Sequence, residues 1–75
     1  MKHKDNLVWR TVFLLRTGLN EDDFIKQGRP KIYNNKLDIL NGQKVTFGDI
    51  TYYVKGVDWD FNDNVIYVEA YTIKN

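Results

Sequence analysis

The sequence has no cysteine and no serine, and it has a single histidine and a single proline. Without cysteine, the fold can use neither disulfides nor thiolate metal sites for stability. Hydrolases that depend on a serine or cysteine nucleophile are also excluded. The one histidine, His3, lies in a polar stretch where no neighbour would hold its ring for catalysis or metal binding. We therefore expect no enzymatic activity and no cofactor.

The sequence also lacks a long hydrophobic run. Its N-terminal apolar stretch, residues 7–15, is interrupted by Arg10 and Thr11. It is therefore too short for a membrane span, which needs about 18 apolar residues. No cleavage site of a secretory signal follows it. We expect a cytoplasmic protein with no membrane partner, located in the host cytoplasm or the virion if it is phage-encoded.

Charge is nearly balanced in total but not along the chain. The net charge is +1, residues 1–16 carry four basic side chains and one acidic, and residues 49–75 carry two basic and five acidic. A dedicated nucleic-acid binder would be strongly basic. The separation of charge favours either neutralisation on folding or contact between copies of the chain.

The chain is short and rich in aromatic residues. Its 75 residues, of which 15% are aromatic, predict a single domain over residues 1–75, with residues 1–6 flexible. Aromatic side chains bury large areas, so a small core of them can be sufficient.

Two segments read as β-strands that are apolar on both faces. In residues 7–17 and 65–73, hydrophobic side chains occupy both phases of the two-residue alternation. A strand of this kind is typical of the centre of a sheet or of an interface.

Residues 50–73 predict a long, bent hairpin. Apolar residues alternate in one phase over residues 50–54 and in the opposite phase over residues 57–61. Because a shift of one residue moves every side chain to the other face, we predict a β-bulge at Lys55-Gly56 that keeps both sets on the core side. Two shorter turns precede this hairpin. Asn41-Gly42 is expected to join residues 37–40 to residues 43–47, and Gly48-Asp49 marks the next turn.

One short helix is predicted over residues 21–27. Asn20 is a favourable N-cap, and acidic residues follow it in the first turn, where the helix dipole favours them. Gly28 suits the helix end and Pro30 prevents continuation. Two turns are too few for a helix that is stable alone, so it would have to pack on the sheet.

These elements predict a mainly β, or β-rich α+β, fold. About five antiparallel strands would form a small SH3-like or OB-like partly closed barrel or roll, with one short helix near residues 21–27. An open antiparallel sheet with the helix on one face is the alternative.

The acidic turn of the long hairpin resembles the EF-hand calcium loop in its spacing. Oxygen-bearing side chains occupy the ligand positions one, three, five, seven and twelve: Asp58, Asp60, Asn62, Asn64 and Glu69. Position six has Asp63 where the loop needs a glycine, and the flanks read as strands instead of helices. We interpret the segment as a solvated hairpin turn and assign no metal, with calcium binding as an alternative.

Binding of single-stranded nucleic acid is a further alternative function. Small barrels stack bases on aromatic rings inside a basic groove. The candidate residues for such a groove are Arg29, Lys31, Tyr33, Lys36, Lys44 and Lys55. The most aromatic region is also the most acidic, which disfavours phosphate.

Protein–protein interaction is the function that the sequence favours. Two strands with apolar residues on both faces leave a small sheet with more apolar surface than it can cover, and exposed aromatic patches mark interfaces. The candidate partner-binding residues are the aromatic ones: Trp9, Tyr53, Trp59, Tyr67 and Tyr71. The composition is typical of small bacterial or phage accessory, assembly or inhibitor proteins. We expect the partner to be another protein or a second copy, as in a homo-oligomer.

Overall fold

The computed structural model describes residues 8–20 and 23–73, and this part of the chain is a single β-sheet. Its strands are β1 (Arg10–Asn20), β2 (Asp23–Gln27), β3 (Lys31–Tyr33), β4 (Lys44–Phe47), β5 (Ile50–Asp60) and β6 (Val65–Ile73). The described part contains no helix, and hence none of the length and apolarity needed to cross a membrane. Residues 1–6, predicted to be flexible, and His3 lie outside the described residues.

The sheet is five strands wide because β2 and β3 share one position. The strand order is β2-β1-β6-β5-β4, and β3 pairs with β1 beyond the end of β2. The break between β2 and β3 covers residues 28–30. There the N–H of Gly28 donates to the carbonyl of Leu15 at 2.8 Å, whereas Pro30 has no N–H to donate.

The two strands that are apolar on both faces lie side by side in the middle of the sheet. β1 and β6 pair in parallel without a register shift, from Arg10 opposite Val65 to Gly18 opposite Ile73. The central position is confirmed, but the all-antiparallel prediction is wrong. Hydrophobic alternation reports burial, which is the same for both strand directions, so it could not predict the parallel pairing.

The helix predicted over residues 21–27 is also wrong. Asp23–Gln27 forms strand β2, antiparallel to residues 16–20 of β1, and Glu21 and Asp22 lie outside the described residues. The edge of β1 offers these backbone groups inter-strand hydrogen bonds. That pairing replaces a two-turn helix, which would have been marginal by itself.

The long hairpin and its bulge are confirmed. β5 and β6 are antiparallel, and the register shifts between Val54 and Gly56. Tyr52 and Val54 are buried before the shift, and Val57 packs against the same core after it. Three of the six residues predicted on the core side are exposed instead: Ile50, Trp59 and Phe61.

The turn at Asn41-Gly42 is confirmed, but its first arm is not a strand. Gly42 has φ +85°, and β4 pairs only with β5. Residues 34–43 instead cross the core side of the sheet, where Leu37 and Ile39 pack against the core. The turn at Gly48-Asp49 joins β4 to β5 as predicted.

The sheet curls into a half-barrel around its core. The buried core residues lie on the concave face: Phe13, Leu15, Tyr52, Val54, Ile66, Val68 and Ala70. The two sheet edges approach through aromatic side chains. The ring of Phe47 on β4 lies 5.1 Å from that of Phe13 on β1 and 6.4 Å from that of Tyr33 on β3. β3 and β4 are not paired, so aromatic contacts, not hydrogen bonds, span the gap.

Candidate functional site

The convex face of the sheet carries the side chains that alternate with the core. We call a set of residues that pair with one another across neighbouring strands a row. One row on this face consists of Ile32 on β3, Val12 on β1 and Tyr67 on β6. Seven apolar or aromatic side chains occupy these rows, and we call them the convex stripe: Val12, Leu14, Ile32, Tyr53, Tyr67, Tyr71 and Ile73.

The convex stripe is partly open to solvent. Ile32 is 61% exposed, Tyr53 40% and Ile73 36%, and the other four are half-buried. All six strands belong to one sheet, and residues 34–43 pack on the concave side. No second layer therefore covers the convex side within residues 8–20 and 23–73.

Neighbouring groups hold the tyrosines of the stripe in place. The rings of Tyr53 and Tyr71 lie 6.0 Å apart, and the Lys44 ammonium lies 5.7 Å from the centre of the Tyr53 ring. A cation over an aromatic face is attracted by the quadrupole of the ring. Rigid aromatic side chains lose little entropy on binding, which makes them suitable anchors for a partner.

Charged residues of opposite sign lie on the two strands beside β6. Arg10 and Arg16 lie on β1, whereas Asp58 and Asp60 lie on β5. Glu69 on β6 lies between the two sides and pairs with Arg16 at 3.4 Å. The convex face thus carries basic groups on β1, on either side of Val12 and Leu14, acidic groups on β5, and a further basic group, Lys44, on β4.

Trp9 and Trp59, the two tryptophans predicted to bind a partner, lie elsewhere, at one end of the half-barrel. The ring of Trp9 lies 5.4 Å from that of Trp59 and 5.3 Å from that of Phe61. Next to this cluster is a groove of about 470 Å³ lined by residues 38–41, Val57 and Trp59. The structure thus brings Tyr53, Tyr67 and Tyr71 together and separates them from Trp9 and Trp59.

The six residues predicted for a nucleic-acid groove are distributed over the surface. Lys31 and Tyr33 lie at the barrel gap, where the Lys31 ammonium is 6.0 Å from the Phe47 ring. Lys36 lies over Trp59 at 5.3 Å, and Lys44 lies on the convex face. The remaining two are Arg29 in the break between β2 and β3 and Lys55 at the bulge.

The residues with calcium-loop spacing form a hairpin turn. One carboxylate oxygen of Asp60, Oδ1, accepts the backbone N–H groups of Asn62 at 2.9 Å and Asp63 at 3.2 Å. Asn64 adopts φ +56°, and Glu69 lies in mid-strand beside Arg16. The described part of the chain contains no group of three or more His, Cys, Asp or Glu side chains that could hold a metal ion.

Four members of the convex stripe were not predicted as site residues: Val12, Leu14, Ile32 and Ile73. Val12 and Leu14 occupy the second apolar face of β1, and that pattern already indicated an interface. Ile32 lies on a strand of three residues, which is too short to show an alternation. Only the pairing with Val12 reveals its face.

Comparison of the chain with protein-family models, with curated proteins and with solved structures gave no match.

Proposed function

We propose that the protein is a non-catalytic interaction module that binds a protein partner through the convex stripe. The composition of the chain suits a small bacterial or phage accessory, assembly or inhibitor protein. Tyr53, Tyr67 and Tyr71 act as anchors, and the flanking charges orient the partner.

One observation supports this proposal above the others. The two central strands are apolar on both faces, yet no second layer of described residues covers the convex face, where Val65 is buried but Ile32, Tyr53 and Ile73 are exposed. Small soluble proteins rarely expose contiguous apolar surface unless it serves recognition. Aromatic residues with charges at their margin are the composition of an interface core and its rim.

The charge at the stripe favours a protein over a nucleic acid. Asp58 and Glu69 lie beside the tyrosines and offset the attraction of phosphate to Arg10, Arg16 and Lys44, and this salt-dependent attraction dominates nucleic-acid affinity. The basic candidates do not form one continuous groove, which a bound single strand would require.

The proposal is tested by capture of binding proteins from the cells that express this chain. The variant Ile32→Glu/Tyr53→Glu places two charges on the convex stripe at its most exposed positions. The control Leu40→Glu/Phe61→Glu places the same charges at two positions that are each 72% exposed near the other end of the barrel. Circular dichroism establishes that both variants fold.

A specific partner is expected to be retained by the wild type and the control and reduced at least tenfold by the convex variant. Titration of the purified partner should give the same order of affinities. Equal retention by all three proteins, or loss with the control alone, would contradict the proposal. Salt-sensitive binding of labelled single-stranded DNA that the convex variant leaves intact would favour the nucleic-acid alternative.

A further inference from the structure

The charges on the convex face are arranged in register with one another. Arg10 on β1 and Asp60 on β5 both pair with Val65 on β6, so they lie in one row on opposite sides of the stripe. Two strand spacings separate them, roughly 9–10 Å. Within the described residues, the Arg10 guanidinium forms no ion pair, and the Oδ2 of Asp60 has no bonding partner.

This arrangement is self-complementary. We infer that the partner is a second copy of this chain, packed face to face on the convex stripe about a two-fold axis parallel to β6. The inference rests on the proposed function, because it requires the convex face to be a protein-binding surface. It adds the identity of the partner and the geometry of the contact.

The axis follows from the positions of the charges. A two-fold axis along β6 places β1 of each copy over β5 of the other. Each row of paired residues in one copy then faces the same row in the other copy. Arg10 of one copy then faces Asp60 of the other, and the contact occurs twice in the dimer. Packed sheets lie about 10 Å apart. Because the two convex faces diverge on either side of β6, the long side chain of Arg10 has to span most of the larger gap to Asp60.

The other two-fold axis in the interface plane gives no such match. An axis perpendicular to the strands would place β1 of one copy over β1 of the other. Arg10 would then face the row of Gly18, and Arg16 would face the row of Val12. Arg10 and Asp60 would then have no partner of opposite sign, and an unpaired buried charge is unfavourable. The axis along β6 pairs these two residues and leaves Asp58 opposite Val12 of the other copy.

The middle of the face is also compatible with the axis along β6. Glu69 faces its own symmetry mate, but each Glu69 is paired with Arg16 of its own chain at 3.4 Å, which offsets the repulsion. Arg16 in turn lies opposite the exposed ring of Tyr53 in the other copy. A guanidinium over a tyrosine ring is a favourable contact, which here is partly offset by the Lys44 ammonium, 5.7 Å from the centre of the same ring.

Analytical ultracentrifugation over a range of concentrations tests the identity of the partner. The wild type is expected to sediment as a reversible dimer. Arg10→Glu should raise the dimer dissociation constant at least tenfold, because it replaces two attractive contacts by two repulsive ones. Lys36→Glu makes the same change of charge away from the convex face, beside the Trp59 ring, and should leave the constant unchanged. A monomeric wild type would overturn the second copy as partner.

A charge exchange tests the axis. Arg10→Glu and Asp60→Lys should each be monomeric alone, whereas a one-to-one mixture should form a heterodimer with one native and one reversed ion pair. Asp60→Asn, which retains the Oδ1 acceptor of the turn, measures the loss of charge separately from any loss of turn stability. A dimeric wild type with no heterodimer in the mixture would contradict this axis.

Cross-linking gives a second, independent readout. The chain has no cysteine, so one introduced cysteine reports only on its distance from its own symmetry mate. Glu69→Cys, on the axis, should be linked by a short bismaleimide. Thr46→Cys, exposed on the outer strand β4, should not be linked. The reverse result would contradict the geometry.

These outcomes separate the inference from the proposed function. A monomeric wild type whose convex stripe still retains a different protein would refute the second copy and support the interaction module. A monomeric wild type with no stripe-dependent partner would refute both.

Discussion

At the residue scale, Thr11 holds residues 34–43, the segment that packs on the concave face, in place through hydrogen bonds. Its side chain is fully buried. The hydroxyl donates to the carbonyl of Asn35 at 2.9 Å and accepts the N–H of Leu37 at 3.1 Å. One hydroxyl thus satisfies two backbone groups of an irregular segment, for which no strand partner is available. Leu37 can then pack against the core.

Replacing Thr11 by valine should therefore destabilise the protein. Thr11→Val preserves the shape of the side chain but leaves two backbone groups without their partner, at a cost of about 1–3 kcal/mol. Thr46→Val is the matched control, because its hydroxyl contacts only the exposed hydroxyl of Thr51, at 3.0 Å. Urea unfolding measures both free energies. Equal losses would show that the two bonds of Thr11 do not stabilise the fold.

At the scale of the element, the bulge in β5 determines which side chains form the core. The register shift between Val54 and Gly56 places Tyr52 and Val57 on the same face. Without the extra residue, the second half of the strand would direct its apolar side chains to the convex side. The bulge therefore separates the core from the convex stripe, and it was predictable because the alternation of residue types changes phase there.

The bulge does not require a glycine, however. Gly56 does not have a positive φ, and a Cβ there would meet only a carboxylate oxygen of Glu69 at 3.6 Å, an ordinary contact. Gly42, by contrast, has φ +85°, which strains residues with a Cβ by roughly 1–2 kcal/mol.

Alanine at these two glycines should consequently have opposite effects. Gly56→Ala should leave stability unchanged or raise it by up to about 1 kcal/mol, because the unfolded chain loses entropy. Gly42→Ala should lower it by about 1 kcal/mol. Thermal unfolding of both variants gives the comparison. A clear loss with Gly56→Ala would mean that the bulge needs the freedom of glycine.

At the scale of the whole molecule, closure of the half-barrel depends on Phe47. Its ring contacts Phe13, Tyr33 and Tyr52 at centroid distances of 5.1, 6.4 and 6.1 Å. These contacts connect β4 at one edge of the sheet with β3 at the other. Because no hydrogen bonds join these edges, the aromatic side chains keep the sheet curled.

Phe47→Ala should lower stability and loosen the gap between β3 and β4. We expect a loss of at least about 2 kcal/mol, since a large apolar side chain is removed from a packed site. Faster amide hydrogen exchange should be confined at first to the two edge strands. Phe61→Ala removes a side chain that is 72% exposed and should cost much less. Similar losses for the two variants would contradict a role for Phe47 in closure.

The sequence by itself determined most of the local structure. Alternation identified β1, β5 and β6, the change of phase identified the bulge, and the Asn-Gly and Gly-Asp pairs identified two turns. Each of these signals lies within a few residues and reports burial or backbone conformation directly. The tyrosines of the convex stripe were also predictable, because aromatic residues on the second face of a strand must meet water or a partner.

Only the tertiary structure decided how these pieces combine. The parallel pairing of β1 with β6 joins strands from opposite ends of the chain, and alternation is the same for either direction. The local signals of a helix in residues 21–27 were outweighed because residues 23–27 pair with the edge of β1 through inter-strand hydrogen bonds. The separation of Trp9 and Trp59 from the tyrosines, and the row shared by Arg10 and Asp60, likewise depend on strand register. Register is set by packing over the whole sheet, and no short stretch of sequence encodes it.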